Sequence, residues 1–374
     1  MAAVGSFLVG CGWFDPGRRA LRWQAKTDSS YLGTPAVGPD GTIYVGGADG
    51  IFTFDSTGTP GPKFLEGQSC QKLVVASNTR LYVLQYDSLV RLIALDPVSG
   101  EQAWQCIADT GQPLAFGYLA AALAADGTVY VPACSSLVAV NPDGTVRWRF
   151  RTGMEFYNPP VIGPDGTVYA PVVSWVIAID SSGSERWRHQ VPSLEHGPLA
   201  VGQDGTVYSG CFRGGVVVAI NPDGTERWRS AAPVPNGCPF VIDEDGALYY
   251  SNNSETLYCL NSDGTFRWRH YMRPAPDGSC AIGPDGTIYF TGETGGWWTP
   301  TENYVLAYSP DGKRLWDYAT GGRAYGCPCL GPANTVIFSL QPGDLWAFAA
   351  PGTGRNNAWP MYQHDPAHTG RAGQ

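Results

Sequence analysis

The stretch Gly38-Pro39-Asp40-Gly41-Thr42-Ile43-Tyr44 decides the fold, because its pattern recurs along the chain. Its aromatic position returns at intervals of 38 to 48 residues. The copies end at Tyr44, Tyr82, Tyr130, Tyr169, Tyr208, Tyr249 and Tyr289, with Ile337 in a degraded eighth copy. A repeat of this size indicates one structural unit used many times, so the 374 residues are expected to form one repeat domain.

A second phrase follows the first and ends on a tryptophan, as in Asn221-Pro222-Asp223-Gly224-Thr225-Glu226-Arg227-Trp228. The tryptophan recurs at Trp104, Trp148, Trp187, Trp228, Trp268 and Trp316, with Phe64 in the first repeat. Asp-Gly between β-favouring runs is a strong hairpin turn, since Gly tolerates positive φ and Asp caps its own turn. Each repeat is therefore expected to contain four short strands. In the fourth repeat they begin at Val161, Thr167, Val176 and Glu185.

A four-stranded antiparallel meander repeated at this period predicts the blade of a β-propeller. We therefore predict an all-β fold with eight four-stranded blades. Trp23 lies in an Arg-Trp motif ahead of the first repeat, and the eighth repeat lacks such a motif after Phe348. The N-terminal strand is thus predicted to complete the last blade, with Trp359 as the rival for that position. A parallel β-helix is the alternative fold, but its repeats are shorter.

The repeats resemble the quinoprotein-type propeller family, which contains pyrroloquinoline quinone (PQQ) enzymes and relatives without the cofactor. Residues 94–104, Ala-Leu-Asp-Pro-Val-Ser-Gly-Glu-Gln-Ala-Trp, resemble that family's tryptophan-docking motif, in which the Trp packs between neighbouring blades. Residues 359–370 also resemble a segment common in bacterial members. The quinone enzymes generally carry adjacent cysteines and a calcium-binding acidic set. Because this sequence has no adjacent cysteines, the resemblance implies a bacterial member without the cofactor.

The N-terminus and the composition bear on location and partners. Leu8-Val9-Gly10-Cys11 follows a short apolar run and resembles a bacterial lipobox. We therefore predict that Cys11 is lipidated in an exported protein, periplasmic or anchored to the outer membrane. The predicted organisation is a signal-like segment 1–19, a propeller 20–350 and a tail 351–374 that packs on it.

The net charge of −9 disfavours nucleic acid and anionic lipid as partners. The ten cysteines are expected to be mostly small buried hydrophobes, with one or two disulfides as the alternative after export.

The two faces of the predicted propeller differ in how much their sequences vary from repeat to repeat. The Asp-Gly turns join first to second and third to fourth strands, so they share one face, here called the turn face. The opposite, variable face carries the hairpins between second and third strands and the links between blades. These links should ring the axis as a collar, which either binds a ligand or only plugs the channel. The collar consists of Tyr31, Tyr118, Glu155, Tyr157, Glu195, His196, Asn236, Asp277, Arg323 and Tyr325.

Three further features carry a functional and a structural interpretation. The insertion Thr291 to Asn303 contains Trp297-Trp298 in a Gly-rich loop, suited to stacking on a sugar, anchoring a protein or folding back onto its blade. The arginines beside the tryptophans are expected to protect outer strand edges, with an anion-binding stripe as the alternative. They are Arg147, Arg149, Arg186, Arg188, Arg227, Arg229, Arg267 and Arg269. His364, Asp365 and His368 are expected to lie in a packed tail, and no metal site is predicted.

Three functions follow from these features. The first is a monomeric, non-catalytic exported scaffold that binds a protein or glycan partner, similar in architecture to the propeller lipoprotein that assists outer-membrane barrel assembly. The second is a dehydrogenase dependent on PQQ and calcium. The third is a lyase or hydrolase at the axial mouth, which rests on Glu155, Tyr157, Glu195 and His196. The first is preferred, with no cofactor and no catalytic residue assigned.

Overall fold

The computed structural model describes most of the chain. The described residues are 20–70, 74–76, 79–86, 89–110, 119–192, 197, 199–211, 215–232, 240–252, 255–296, 299–323, 327–352, 361 and 365. For residues 74–76, 252, 275–279, 295–296 and 299–301 it describes the backbone alone.

Within these residues the strands form eight separate antiparallel sheets. In chain order the strands are β1 (Leu21–Lys26), β2 (Ala36–Val37), β3 (Ile43–Gly47), β4 (Gly50–Phe54), β5 (Val74–Ala76), β6 (Leu81–Tyr86), β7 (Val90–Leu95), β8 (Gln102–Asp109), β9 (Ala122–Leu123), β10 (Val129–Ala133), β11 (Ser136–Val140), β12 (Val146–Arg151), β13 (Val161–Ile162), β14 (Val168–Val172), β15 (Trp175–Ile179), β16 (Glu185–Gln190), β17 (Leu199–Val201), β18 (Val207–Cys211), β19 (Val216–Ile220), β20 (Glu226–Ser230), β21 (Val241–Ile242), β22 (Leu248–Asn252), β23 (Thr256–Leu260), β24 (Phe266–Tyr271), β25 (Ala275–Ile282), β26 (Ile288–Gly296), β27 (Thr299–Tyr308), β28 (Arg314–Ala319), β29 (Cys329–Gly331), β30 (Thr335–Leu340) and β31 (Asp344–Ala349).

The eight sheets are the blades of an eight-bladed β-propeller, as predicted. First strands of neighbouring blades contact one another, as β2 does with β5 and β29, so the first strands surround the axis. The last blade has the strand order β1-β31-β30-β29. Trp23 on β1 pairs with Ala347 on β31, which confirms that the N-terminal strand completes blade 8. Such closure leaves no free sheet edge between the first and last blades.

Blade 1 departs from the regular pattern at its outer strand. Its sheet has three strands, β2-β3-β4, and the fourth position is held only by isolated bridges from Pro60 to Phe54 and from Phe64 to Ile51. Proline lacks an N–H, so Pro60 and Pro62 cannot donate to a ladder and a continuous strand does not form there.

The repeated tryptophans join blades 2 to 6 to the blade that follows each of them. The Trp148 ring packs on Tyr130 of its own blade, with centroids 5.6 Å apart. Its Nε1 donates to the carbonyl oxygen of Ser181 in the next blade at 3.0 Å. Trp104, Trp187, Trp228 and Trp268 make the same bond to Pro142, Pro222, Ser262 and Pro310. The tryptophans therefore serve inter-blade packing, as the docking motif implied.

The turn face is held by ion pairs between neighbouring turns. Arg227 donates to Asp204 at 2.6 Å and to Thr206 at 2.7 Å, although the two turns belong to different hairpins of one blade. Arg147 and Arg186 make equivalent pairs with Asp126 and Asp165. Both sets of Asp-Gly turns thus share a face. These arginines are already paired with carboxylates, which favours the structural interpretation of the arginine positions.

Blade 7 is built differently from the others at the variable face. Among the described second and third strands, β26 and β27 have 9 and 10 residues, whereas the rest have five or six. The insertion was expected to be a loop, and this expectation is wrong: its described residues continue both strands, with Glu293 opposite Asn303 and Gly296 opposite Thr299. Backbone pairing with the opposite strand satisfies the polar groups that a loop would leave to solvent.

Buried side chains fill the spaces between blades in apolar clusters. Cysteines contribute to this core, as expected. Of the eight cysteines among the described residues, six are buried. No described helix is long and apolar enough to cross a membrane.

Candidate functional site

The links of the variable face are tied to the neighbouring hairpins by a repeated backbone bond. The first residue after the outer strand donates its N–H to the hairpin between second and third strands. Thr27 bonds to the carbonyl of Gly343, Thr152 to Ser135 and Thr320 to Asn303, at 2.8 to 2.9 Å. The threonine hydroxyls add bonds to the carbonyl oxygens of Gly343, Ser135 and Gly322. The described starts of these links are therefore held by backbone bonds to the hairpins.

Only part of the predicted collar lies within the described residues. Side chains are described for Tyr31, Glu155, Tyr157 and Arg323. Asp277 lies in β25, with its backbone alone described. Outside the described residues lie Cys11, Tyr118, Glu195, His196, Asn236, Trp297, Trp298, Tyr325, Trp359, His364 and His368.

Glu155 and Tyr157 flank the buried Phe156 in the link from blade 3 to blade 4. The N–H of Phe156 donates to the carbonyl oxygen of Cys134 at 3.2 Å, and Phe156 forms a bridge to Val172 of blade 4. The buried ring fixes the link, so exposed Glu155 and half-buried Tyr157 are presented at the surface. Burial, with Asp109 and Glu155 nearby, raises the pKa of the Cys134 thiol. That thiol therefore stays protonated at neutral pH and is a poor nucleophile.

Tyr31 lies at the junction between the last and first blades. Its carbonyl oxygen accepts a bond from the Ser29 hydroxyl at 2.6 Å. The same hydroxyl oxygen accepts the N–H of Ala48 from the blade-1 hairpin at 3.1 Å. The half-buried Tyr31 is thus placed by a serine that joins the link to the hairpin.

Arg323 lines a shallow crevice on the variable face between blades 7 and 8. The crevice encloses about 180 Å³, counting space open to solvent, and is lined by Thr291, Gly292, Asn303, Tyr304, Thr320, Arg323 and Leu340. Nε of Arg323 lies 3.6 Å from Oε2 of Glu293 on the long hairpin. The Tyr304 hydroxyl donates to Glu302 at 2.6 Å, and this bond raises the pKa of Tyr304. The crevice offers directional polar groups at the base of the hairpin.

A second polar cluster lies in blade 6 and in the link that follows it, and it was not predicted from the sequence. The Tyr271 hydroxyl donates to Glu255, and Arg273 donates to that hydroxyl at 3.3 Å. Tyr271 is 64% exposed, which is unusual for a large aromatic residue. The three residues come from a hairpin, the end of outer strand β24 and the following link, and only the fold reveals that they are close together. Among the described residues, no three His, Cys, Asp or Glu side chains are grouped closely enough to hold a metal ion.

Comparison with known proteins places the chain in a family. Residues 12–170 and 173–327 match the family model described as outer membrane protein assembly factor BamB. The chain belongs to this family. Membership in the BamB family confirms the resemblance to PQQ-like repeat propellers that the sequence motifs indicated. No curated protein matches the sequence.

Solved structures share the architecture at low sequence identity. BamB from Moraxella catarrhalis has a TM-score of 0.62 at 14% identity, over 88% of this chain and 97% of that one. A streptogramin B lyase has a TM-score of 0.54 at 12% identity, over 88% and 97%. Virginiamycin B lyase from Staphylococcus aureus has a TM-score of 0.55 at 12% identity, over 87% and 98%. At these identities the likeness shows the fold alone, and the fold serves a lyase as well as an assembly factor.

Proposed function

We propose that the chain is a non-catalytic scaffold that binds a protein partner through its variable face, with the blade-7 hairpin as the main contact. The observation that carries this proposal is the extension of β26 and β27 to 9 and 10 residues. The described strands of this hairpin pair as far as Gly296 and Thr299, and the two residues between them in the sequence are Trp297 and Trp298.

The side chains around the hairpin suit protein recognition. Trp, Tyr and Arg dominate binding energy at protein interfaces. Arg323 and Tyr304 lie at the base of the hairpin, and exposed Tyr271 ends the outer strand of the preceding blade. The family description names an assembly factor for outer membrane proteins, which supports a protein as the partner. A glycan is the other ligand class that an aromatic pair with polar neighbours suits.

Site-specific photo-crosslinking in the native cell tests the proposal. A photoreactive phenylalanine derivative is placed at position 298 or 323 on the variable face, and at position 143 or 223 on the turn face as matched controls. We expect positions 298 and 323 to form a covalent adduct with the same envelope protein, identified by mass spectrometry. Adducts from positions 143 and 223 alone would reverse the assignment of faces. Binding of purified protein to soluble peptidoglycan fragments, lost in Trp298→Ala, would instead identify a glycan ligand.

Export and lipidation at Cys11 are part of the same proposal. They rest on the lipobox-like sequence Leu8-Val9-Gly10-Cys11 and on the family description. Metabolic labelling with a fatty-acid analogue in the native organism is expected to label the protein, and Cys11→Ser is expected to abolish the label. A labelled Cys11→Ser protein, or an unlabelled wild type, would contradict the assignment.

The residues do not fit the cofactor of the quinoprotein enzymes. The sequence has no adjacent cysteines, and the described residues contain no cluster of carboxylates that would hold calcium. We therefore propose that the chain binds no PQQ. Titration with PQQ and Ca²⁺ is expected to produce no bound chromophore, and a sub-micromolar dissociation constant would overturn this point.

A further inference from the structure

Glu255 has a backbone conformation that disfavours any side chain. It is the last residue before β23 and has φ +60. Blade 5 has Gly215, with φ +57, at the corresponding position before β19. Because the left-handed region is strained for residues other than glycine, the backbone alone favours glycine at position 255. The glutamate must therefore be explained by what its carboxylate contacts.

This carboxylate fixes two exposed side chains of the variable face. The Tyr271 hydroxyl donates to Glu255, and Nε of Arg273 donates to the same hydroxyl. Cζ of Arg273 lies 6.0 Å from the centroid of the Tyr271 ring. Between them, Met272 is buried and its N–H donates to the carbonyl oxygen of Glu255 at 2.7 Å. Buried Met272 and Pro274 anchor the backbone, so Tyr271 and Arg273 are presented to solvent in a fixed arrangement.

Arg273 keeps hydrogen-bond donors for a ligand. Its side chain is 76% exposed, and its contacts with Tyr271 and Glu255 are made through Nε. In the part of the chain that the structure describes, neither of its Nη atoms has a hydrogen-bond partner. A guanidinium presents parallel N–H donors that match the two oxygens of a carboxylate. The exposed guanidinium is therefore suited to a carboxylate, with the Tyr271 ring beside it as an apolar surface.

The three residues adjoin the blade-7 hairpin. Ala275, two residues after Arg273, pairs with Glu293 on β26. Glu293 in turn lies 3.6 Å from Nε of Arg323 at the crevice. A protein that contacts this hairpin therefore also reaches Arg273.

We propose that Arg273 binds a carboxylate of the protein partner and that Tyr271 packs on an apolar side chain next to that carboxylate. Glu255 is a positioning residue, because it acts through the other two. This inference rests on the proposed function, in which the variable face binds a protein, and it adds the chemistry of the partner. The partner surface carries an Asp or Glu side chain beside an apolar residue.

Photo-crosslinking in the native cell tests the site, with the photoreactive derivative at position 298 as the reporter. We expect Arg273→Ala to lower the adduct yield about tenfold, since Arg contacts are among the strongest at interfaces. Arg269→Ala is the matched control, because Arg269 is exposed on the same outer strand, and it should leave the yield unchanged.

Two substitutions of Glu255 separate positioning from stability. Glu255→Gly removes the strained side chain, so its melting temperature should equal or exceed that of the wild type, yet its adduct yield should fall about fivefold. Glu255→Gln keeps an acceptor for the Tyr271 hydroxyl and should retain most of the yield. A loss of binding without a loss of stability is a result that a purely structural role would not produce.

Zero-length crosslinking identifies the carboxylate. Arg273→Lys introduces an amine, and Glu255→Gln in the same chain removes the carboxylate that lies nearest to it. Treatment of the cell envelope with a water-soluble carbodiimide should join this amine to an Asp or Glu of the protein that position 298 captures, as mass spectrometry identifies. Arg269→Lys, combined with the same Glu255→Gln, is the control and should give no such product.

The outcomes separate this inference from the proposed function. An adduct at position 298 whose yield is the same in Arg273→Ala as in the wild type would overturn the inference and leave the proposed function standing. A carbodiimide product at position 273 without any adduct at position 298 would support the site and reject the hairpin as the main contact. A product of equal abundance from Arg269→Lys, or none from Arg273→Lys, would also overturn the inference.

Discussion

The indole Nε1 of Trp23 donates a hydrogen bond of 3.1 Å to the carbonyl oxygen of Ser56. Trp23 belongs to blade 8 and Ser56 to blade 1, so this contact joins the last blade to the first. A Cβ on Gly58 would lie 2.5 Å from the indole ring, which shows how closely the ring covers this turn. The ring closure therefore repeats the contact that joins blades 2 to 7 to one another.

Loss of this indole should open the ring at one seam. We expect Trp23→Ala to lower the free energy of unfolding by about 3 kcal/mol, because packing on the Gly58 turn is lost. Trp23→Phe keeps most of the packing and should lose about 1 kcal/mol for the hydrogen bond. Urea denaturation of both variants measures the difference. An unchanged midpoint in Trp23→Ala would mean that other contacts close the ring.

Two glycines in turns of similar sequence allow the cost of a steric clash to be measured separately from the cost of a left-handed backbone conformation. Gly224 has φ +89 and a Cβ there would lie 2.7 Å from the Trp187 ring, whereas Gly166 has φ +80 and nothing within 4 Å. Gly166→Ala should cost about 1 kcal/mol for the left-handed backbone alone. Gly224→Ala should cost about 3 kcal/mol, since the indole must also move. Equal losses in thermal or urea unfolding would refute docking as the role of Gly224.

The tyrosines of the second strands predict a loss of stability at alkaline pH. Burial raises the pKa of Tyr169 and of Tyr208 to about 12. Because the pKa of each tyrosine is higher in the folded than in the unfolded protein, its protonated hydroxyl stabilises the fold. This stabilisation is complete below the unfolded pKa of about 10 and is lost as the pH rises toward 12. The free energy of unfolding should therefore fall between pH 10 and 12. Tyr169→Phe should reduce this fall, and an identical pH profile for the variant would contradict the prediction.

The turn face should titrate at acidic pH. Burial opposes ionisation of Asp204, but bonds from Thr206 and Arg227 outweigh it and lower the pKa of Asp204. A depressed folded pKa gives stability that is present above the unfolded value of about 4 and is lost as the pH falls below it. Because the pair is 40% and 54% exposed, Asp204→Asn should cost at most about 1 kcal/mol at pH 7. As the pH is lowered, the free energy of unfolding of Asp204→Asn should start lower than that of the wild type but decrease less steeply. The same slope in both proteins would contradict a stabilising role for the Asp204–Arg227 pair.

The sequence was enough to predict the scaffold because local signals repeat. Each Asp-Gly turn fixes a hairpin, and each Tyr–Trp spacing fixes which strands of a blade meet. The fourth strand of blade 1 was predicted as regular but is reduced to bridges, since Pro60 and Pro62 lack the N–H that a ladder needs. The two prolines argue against a regular strand at this position, but the prediction followed the repeat pattern.

The candidate site was harder to predict because its contacts are not local. The pair of Glu293 and Arg323 joins a hairpin to a link, and the cluster of Glu255, Tyr271 and Arg273 does the same one blade earlier. No spacing rule relates such residues. The long hairpin of blade 7 was predicted to be a loop because its glycines lower strand propensity, whereas cross-strand pairing determines its structure.

The pairing of β1 with β31 has a consequence for how the protein is made. Leu21 is synthesised long before its partner Phe348. At the usual 5–20 residues per second, roughly 15 to 65 seconds of translation separate the two. Throughout this time β1 carries alternating apolar side chains and unsatisfied backbone groups, and no partner strand yet exists. The newly made chain should therefore depend on a holding chaperone, and lengthening the delay with slow codons before residue 344 should increase aggregation more than slow codons placed before residue 21.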